Sequence, residues 1–171
     1  EAEEAEIRAI GECYKVYAQQ LADENALDFA TIQTECLHLL ENNPEVLAKI
    51  QGKVLFFMVD EYQDTNTVQE RILLLLANRN HNLCVVGDDD QGLYRFRGAS
   101  IRNILQFEQN FPAGACRRVT LTTNFRSHPG IVDFYNNWMN RLDWTHDGET
   151  FRFNKTIQPR EACINRTAHG W

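Results

Sequence analysis

Val54 to Val59 is apolar at every position and runs without a break into Asp60 and Glu61. A run this short and this uniformly apolar suits a strand covered on both faces, as in a parallel sheet, better than a helix. It also sets neighbouring carboxylates at the carboxyl end of the strand, where open parallel sheets bind their ligands. Burying two adjacent charges without a cation or a reactive partner is costly, so the pair marks a site as well as a strand end.

The rest of the chain supplies the elements such a sheet requires. Ile7, Ile10, Tyr14, Tyr17 and Leu21 recur at helical spacing over roughly residues 5–21, and a second helical pattern covers about Phe29 to Leu40, stopped by Asn42-Asn43-Pro44. Thr67-x-x-Glu70 has the form of a capping box ahead of the apolar stretch Ile72–Ala77. Leu83–Val86 is a second apolar run, stopped by Gly87, and Ser100 can cap a helix reaching about Asn110 whose buried face holds Ile101, Ile104, Leu105 and Phe107. Val119–Thr122 is the third strand candidate, and Pro129 suits the first turn of a helix reaching about Arg141. The alternation predicts an α/β fold with a doubly wound parallel sheet and right-handed crossovers. Its rim would gather Asp60 and Glu61, then Asp88, Asp89, Asp90 and Gln91, then Asn124 and Arg126. Asp64 and Thr65 suit a helix cap as well, and Asp88–Asp90 suit a turn.

Length and composition narrow the classes. A chain of 171 residues that is 43% hydrophobic can build one compact domain. No apolar run approaches a membrane span, and the acidic start EAEEAE is the reverse of a basic signal-peptide region, so a soluble, cytoplasmic protein is expected. Cys13, Cys36, Cys84, Cys116 and Cys163 are widely spaced with no C-x-x-C pair, and read as buried free thiols. The net charge of −7 argues against general stickiness toward nucleic acid. Residues 92–142 nevertheless hold seven arginines (Arg95, Arg97, Arg102, Arg117, Arg118, Arg126 and Arg141) against two acids, a candidate for phosphate contact. Within it, YRFR interleaves aromatics with arginines, as a single-strand platform would; an ordinary edge strand alternates in the same way.

The chemistry this rim supports is metal-assisted phosphoryl transfer: one hard carboxylate for magnesium, a second to orient and deprotonate water, and a cation to offset phosphoryl charge. Asp60, Glu61 and Arg126 fit those roles by type. The phosphate cradle G-x-x-x-x-G-K-[ST] does not occur; Gly52-Lys53 is followed by Val54 and has Leu47 where the first glycine belongs.

VDEYQDTN (Val59–Asn66), VVGDDDQGLYRFRGA (Val85–Ala99) and LTTNFRS (Leu121–Ser127) resemble motifs II, III and IV of the UvrD/Rep/PcrA-like superfamily 1 DNA helicases. LDFATI near Leu27 and NPEVL near Asn43 are similar to that family's approach to motif II, so the resemblance covers roughly Tyr14 to Met139. It implies an internal fragment of a longer helicase, lacking the Walker A motif: residues 1–36 a helical accessory segment, 37–128 the second part of the first RecA-like P-loop ATPase domain, and 129–171 a helix and the start of the next region. It implies ATP and Mg2+ as cofactors, single-stranded and duplex DNA as partners, a role in DNA repair, and translocation with 3′ to 5′ polarity. The isolated fragment is expected to be inactive.

Residue by residue, the resemblance gives magnesium to Asp60 (Walker B) and water activation to Glu61. It gives γ-phosphate sensing to Gln91 and a γ-phosphate contact to Arg126. Tyr94 and Phe96 would lie along the DNA strand, with stacking worth about 1–3 kcal/mol per base, and Arg97 would join the DNA and nucleotide sites. The sequence departs from the family where Phe96 replaces a tryptophan, Gly92 a serine, Leu93 an isoleucine, and Ala30-Thr31 two aspartates. One alternative is a metal-dependent nuclease using Asp60, Glu61 and Asp88–Asp90, against which stands the lack of a lysine near these acids in sequence. Another is a catalytically silent DNA-binding scaffold. Beyond Met139 the signal is thin: His146–Glu149 suits a turn between short strands, and His128 suits a helix start better than catalysis.

Overall fold

The computed structural model describes residues 2–78 and 82–160. It divides into two compact units, one formed by the chain up to Val59 with Asn66–Cys84, the other by Asp60–Thr65 with the chain from Val85. No described helix is long and apolar enough to cross a membrane.

The first unit contains α1 (Ala2–Asp23), α2 (Thr31–Asn42), α3 (Pro44–Gln51), β1 (Phe57–Val59), α4 (Thr67–Ala77) and β2 (Leu83–Val85). Its buried apolar residues are Leu37 and Leu40 of α2 with Ala77 of α4. At the start of α2, Asp28 Oδ1 accepts the backbone N–H groups of Thr31 (2.6 Å) and Ala30 (3.0 Å), which a helix start otherwise leaves unpaired. The Thr31 backbone bond, with the Tyr17 hydroxyl after it, holds the Asp28 carboxyl down to about 2. Asn42 ends α2 as expected, and Pro44, with no N–H to satisfy, opens α3. The capping box of α4 lies one residue earlier than the sequence suggested. Asn66 Oδ1 accepts the Gln69 backbone N–H and the Asn66 N–H donates to Gln69 Oε1 in return, because Asn66 has the extended backbone a cap needs while Thr67 is already helical.

β1 and β2 hydrogen-bond as neighbours, joined through α4, and the Phe57 N–H donates to the Asn82 carbonyl at 2.8 Å. The expected coverage of β1 on both faces is not found: Phe56 is 71% and Met58 85% exposed. Among the described residues this sheet has two strands, which leaves one face open.

The second unit contains α5 (Ile101–Leu105), β3 (Thr123–Asn124), α6 (Pro129–Met139), β4 (Thr145–His146), β5 (Glu149–Thr150) and β6 (Gln158–Pro159). Its centre is Tyr62, fully buried and edge-on to Phe107 at 5.3 Å, with the Phe111 ring tilted against Phe107 at 5.1 Å. Asn103 is buried and donates to the Thr65 carbonyl at 3.1 Å, tying α5 to the turn after Glu61. The helix expected to reach Asn110 ends at Leu105 and continues as a 3-10 turn over Phe107–Asn110. The third strand is also displaced. β3 begins at Thr123 and pairs in parallel with β6, Thr123 opposite Gln158, so among the described residues its hydrogen-bonded neighbour is β6 and not β1 or β2, as one continuous sheet would require. The partner that captures β3 comes from the stretch with the weakest apolar signal.

His128 caps α6, its Nδ1 accepting the Gly130 N–H at 3.1 Å, in keeping with the helix-start reading. β4 and β5 form the expected hairpin, with Asp147 and Gly148 at φ 50° and 79° in the left-handed region that a two-residue turn of this hand requires. The cysteines depart from expectation: Cys13, Cys36 and Cys84 are free but exposed, while Cys163 lies outside the described residues.

Candidate functional site

Asp60 and Glu61 leave β1 on a backbone that turns sharply, with Glu61 at φ 50° and ψ 43°. A non-glycine residue in this left-handed region is strained and recurs at functional sites. Both side chains are exposed. The Glu61 N–H donates to Asp60 Oδ1 at 2.9 Å, and Gln63 Nε2 donates to Glu61 Oε2 at 2.6 Å. Gln63 is 1% exposed, and its Oε1 accepts the Asp88 N–H at 3.0 Å. Asp88 Oδ2 in turn accepts from Gln91 Nε2 at 2.9 Å. A continuous hydrogen-bonded chain thus runs from Glu61 through Gln63 and Asp88 to Gln91. Gly87 lets it form, because a Cβ there would stand 2.6 Å from Gln63 Oε1 and 2.8 Å from Ile104 Cδ1.

The following acids are differently placed. Lys155 Nζ reaches Asp88 Oδ1 at 2.5 Å and Asp90 Oδ2 at 3.0 Å, and also bonds Asp89. Arg152 Nε donates to Asp90 Oδ1 at 2.8 Å, the Tyr135 hydroxyl bonds Asp90 Oδ2, and the Phe153 N–H donates to Asp89 Oδ2 at 2.7 Å. Burial alone would lower the Lys155 pKa, but the three carboxylates hold it well above the usual lysine range. Burial would raise the Asp88 carboxyl, and the bonds from Lys155, Gln91 and the Asp90 N–H outweigh it and hold it below the ordinary value. The expectation that no lysine stands near these acids is therefore corrected: 62 residues or more of chain separate Arg152 and Lys155 from the acids they hold, yet folding brings them together. The three carboxylates lie close enough to one another to share a cation, and the ammonium of Lys155 takes that place.

Tyr94, Arg95, Phe96 and Arg97 form one 3-10 turn, neither a strand nor part of a helix face. The Tyr94 and Phe96 rings are exposed, 6.0 Å apart and tilted, and the Arg97 guanidinium lies over both, at 5.1 and 5.5 Å from their centroids. Arg126 follows β3, its N–H held by Asn124 Oδ1 at 2.9 Å, and its side chain is exposed. Among the described residues no hydrogen bond joins its guanidinium to Asp60, Glu61 or Gln91, so the single rim of the sequence reading is realised for Glu61, Asp88 and Gln91 but not for Arg126.

Residues 1–112 match the family described as the UvrD/REP helicase N-terminal domain. Over 136 residues, 80% of this chain, it is 42% identical to the ATP-dependent DNA helicase PcrA of Staphylococcus epidermidis and, over the same length, 41% identical to that of Staphylococcus aureus. The chain belongs to the UvrD/Rep helicase family. It spans 18% of the length of these relatives, and its mixed helices and short strands are part of a RecA-like domain.

Within this UvrD-type segment, Asp60 and Glu61 offer hard oxygen donors, the set that suits magnesium. Asp64 Oδ1 is buried without a hydrogen-bond partner, and among the described residues Asp60, Glu61 and Asp64 do not gather into one close carboxylate cluster. Sequence reading missed Gln63, Tyr135, Arg152 and Lys155. Gln63 had a signal, a polar residue between Tyr62 and Asp64 in an otherwise interpreted motif. The other three lie past the 112 matched residues, and nothing local ties them to the acids they meet. Two of the seven arginines read as phosphate contacts hold acids instead, Arg102 with Glu149 at 2.7 Å and Arg118 with Glu108 at 3.0 Å.

Proposed function

We propose that this chain is part of an ATP-dependent DNA helicase that couples magnesium-dependent ATP hydrolysis to 3′ to 5′ movement on single-stranded DNA and to duplex unwinding, in the cytoplasm and in DNA repair. The observation that carries this reading is the hydrogen-bonded chain from Glu61 to Gln91, which links a carboxylate suited to activating water to a carboxamide suited to sensing the group that is lost. Asp60 would hold magnesium, which when bound supplies charge neutralisation at the phosphate oxygens. Glu61 orients the attacking water and takes its proton, with Gln63 fixing one carboxylate oxygen and leaving Oε1 for that task. Gln91 donates to the terminal phosphate, and Arg126 offsets its charge. Residues 37–128 would belong to the first RecA-like domain, flanked by an accessory helical segment over 1–36 and the start of the next region over 129–171.

The exposed Tyr94 and Phe96 rings would stack on DNA bases, and Arg97, lying over both, would carry the state of the nucleotide loop to them. Gln91 and Tyr94 are three residues apart, so any shift of one is felt by the other. The nuclease alternative required Asp88–Asp90 to hold divalent ions; these acids hold an ammonium and a guanidinium, which counts against it. The test is magnesium-dependent ATP hydrolysis by the longer protein that carries this chain, with and without single-stranded DNA, beside the 171 residues alone. DNA-stimulated turnover by the former and none by the latter supports the motor. DNA cleavage without ATP, or no turnover by the intact protein, contradicts it.

A further inference from the structure

Apart from the Tyr135 hydroxyl on Asp90, the acids after β2 are held by distant groups of one stretch of chain, Arg152–Lys155, which lies outside the three helicase-like motifs. Lys155 Nζ touches Asp88, Asp89 and Asp90 together, while Arg152 and the Phe153 N–H hold the outer oxygens of Asp90 and Asp89. Asp88 is the junction. Its Oδ1 accepts from Lys155, its Oδ2 accepts from the Gln91 carboxamide, and its N–H donates to Gln63, which holds Glu61. A carboxylate has two in-plane directions of strong acceptance, so fixing one oxygen on an ammonium whose side chain is 10% exposed fixes where the other points. Without Lys155, three adjacent carboxylates would also face one another without a central cation, and mutual repulsion would turn them apart.

We propose that Lys155 is a positioning residue for the ATPase site: by clamping Asp88 Oδ1 it sets the orientation of the Gln91 side chain held on Asp88 Oδ2. This rests on the reading of Gln91 as a group that faces the nucleotide.

The test is a double-mutant cycle on DNA-stimulated ATP turnover in the longer protein, with melting followed in parallel. Lys155→Met is expected to lower kcat about ten- to hundredfold, the scale on which a misplacement of about 1 Å acts. In a Gln91→Ala background the same change is expected to lower it by no more than about twofold, because the effect has already been removed. A purely structural lysine would lower turnover equally in both backgrounds. If Lys155→Met does not fold, Asp88→Asn cuts the same link with the shape retained and replaces it in the cycle. Full additivity, or unchanged turnover in Lys155→Met beside an impaired Gln91→Ala, overturns the positioning role. Unchanged turnover in Gln91→Ala alone overturns instead the reading on which it rests.

Discussion

Two groups of acids stand after two neighbouring strands, and they have opposite surroundings. Asp60 and Glu61 are exposed, on a strained turn, and share two hydrogen bonds given by the Glu61 N–H and by Gln63. Asp89 and Asp90 have side chains 3% and 5% exposed and are held by Lys155, Arg152, Tyr135 and the Phe153 backbone. In sequence the second group looks the stronger candidate for a metal, with three carboxylates in a row. In the fold it is the poorer one, because its oxygens already have cations. The number of carboxylates near a strand end does not identify a ligand site; the number left with accepting capacity does.

That contrast breaks if substitutions in the two groups behave alike. The largest effect is expected from Glu61→Gln in the longer protein, which should lower ATP turnover by about 10²- to 10⁴-fold while nucleotide binding and melting stay close to wild type, checked by hydrolysis and equilibrium binding. Asp90→Ala should do the reverse in character. It leaves Arg152, whose side chain is 5% exposed, without its carboxylate, and loss of one partner of a buried pair costs about 3–5 kcal/mol, read as a lower denaturation midpoint. Gly87→Ala should sit between them. The new Cβ meets Gln63 Oε1 and Ile104 Cδ1, and overpacking of this kind costs about 1–3 kcal/mol. Turnover should fall with stability there, because Gln63 is the bridge to Glu61.

A smaller effect separates the groups by pH. The Asp88 carboxyl is held below its ordinary value, so its contribution to stability is complete above about pH 4, the unfolded value, and is lost as pH falls through the lower folded value. Lys155 is raised, so its contribution is present below about pH 10.4 and is lost only as pH climbs above that. Acid melting curves of wild type and Asp88→Asn should therefore converge as pH drops below about 4. Curves that stay parallel through that range would show that the Asp88 charge contributes nothing.

Much of this was legible in the sequence because the information was local. The apolar run before Asp60, the stop at Asn42-Asn43-Pro44, the cap at His128 and the turn at Asp147-Gly148 each depend on residues within a few positions of one another. The pairing of β3 with β6 was not legible, since β6 is two residues long and carries no alternation to find. Nor was the clamp on Asp88–Asp90. A lysine and an arginine in an unremarkable polar stretch acquire their role from contacts more than 60 residues away. The arginine-rich quarter is also less free than it looks: Arg102 pairs with Glu149, which sequence grouping set apart, and Arg118 with Glu108, one of the two acids of the same quarter.

The most direct measurement is ATP turnover titrated with magnesium in the longer protein, for wild type, Asp60→Asn and Asp89→Asn. Half-saturating magnesium should rise about tenfold or more for Asp60→Asn, on the scale of about 1.4 kcal/mol per decade for a lost ligand, and stay at the wild-type value for Asp89→Asn even where its melting falls. An equal rise for Asp89→Asn, or none for Asp60→Asn, would contradict the division of the acids into those that receive the ligand and those that hold the loop.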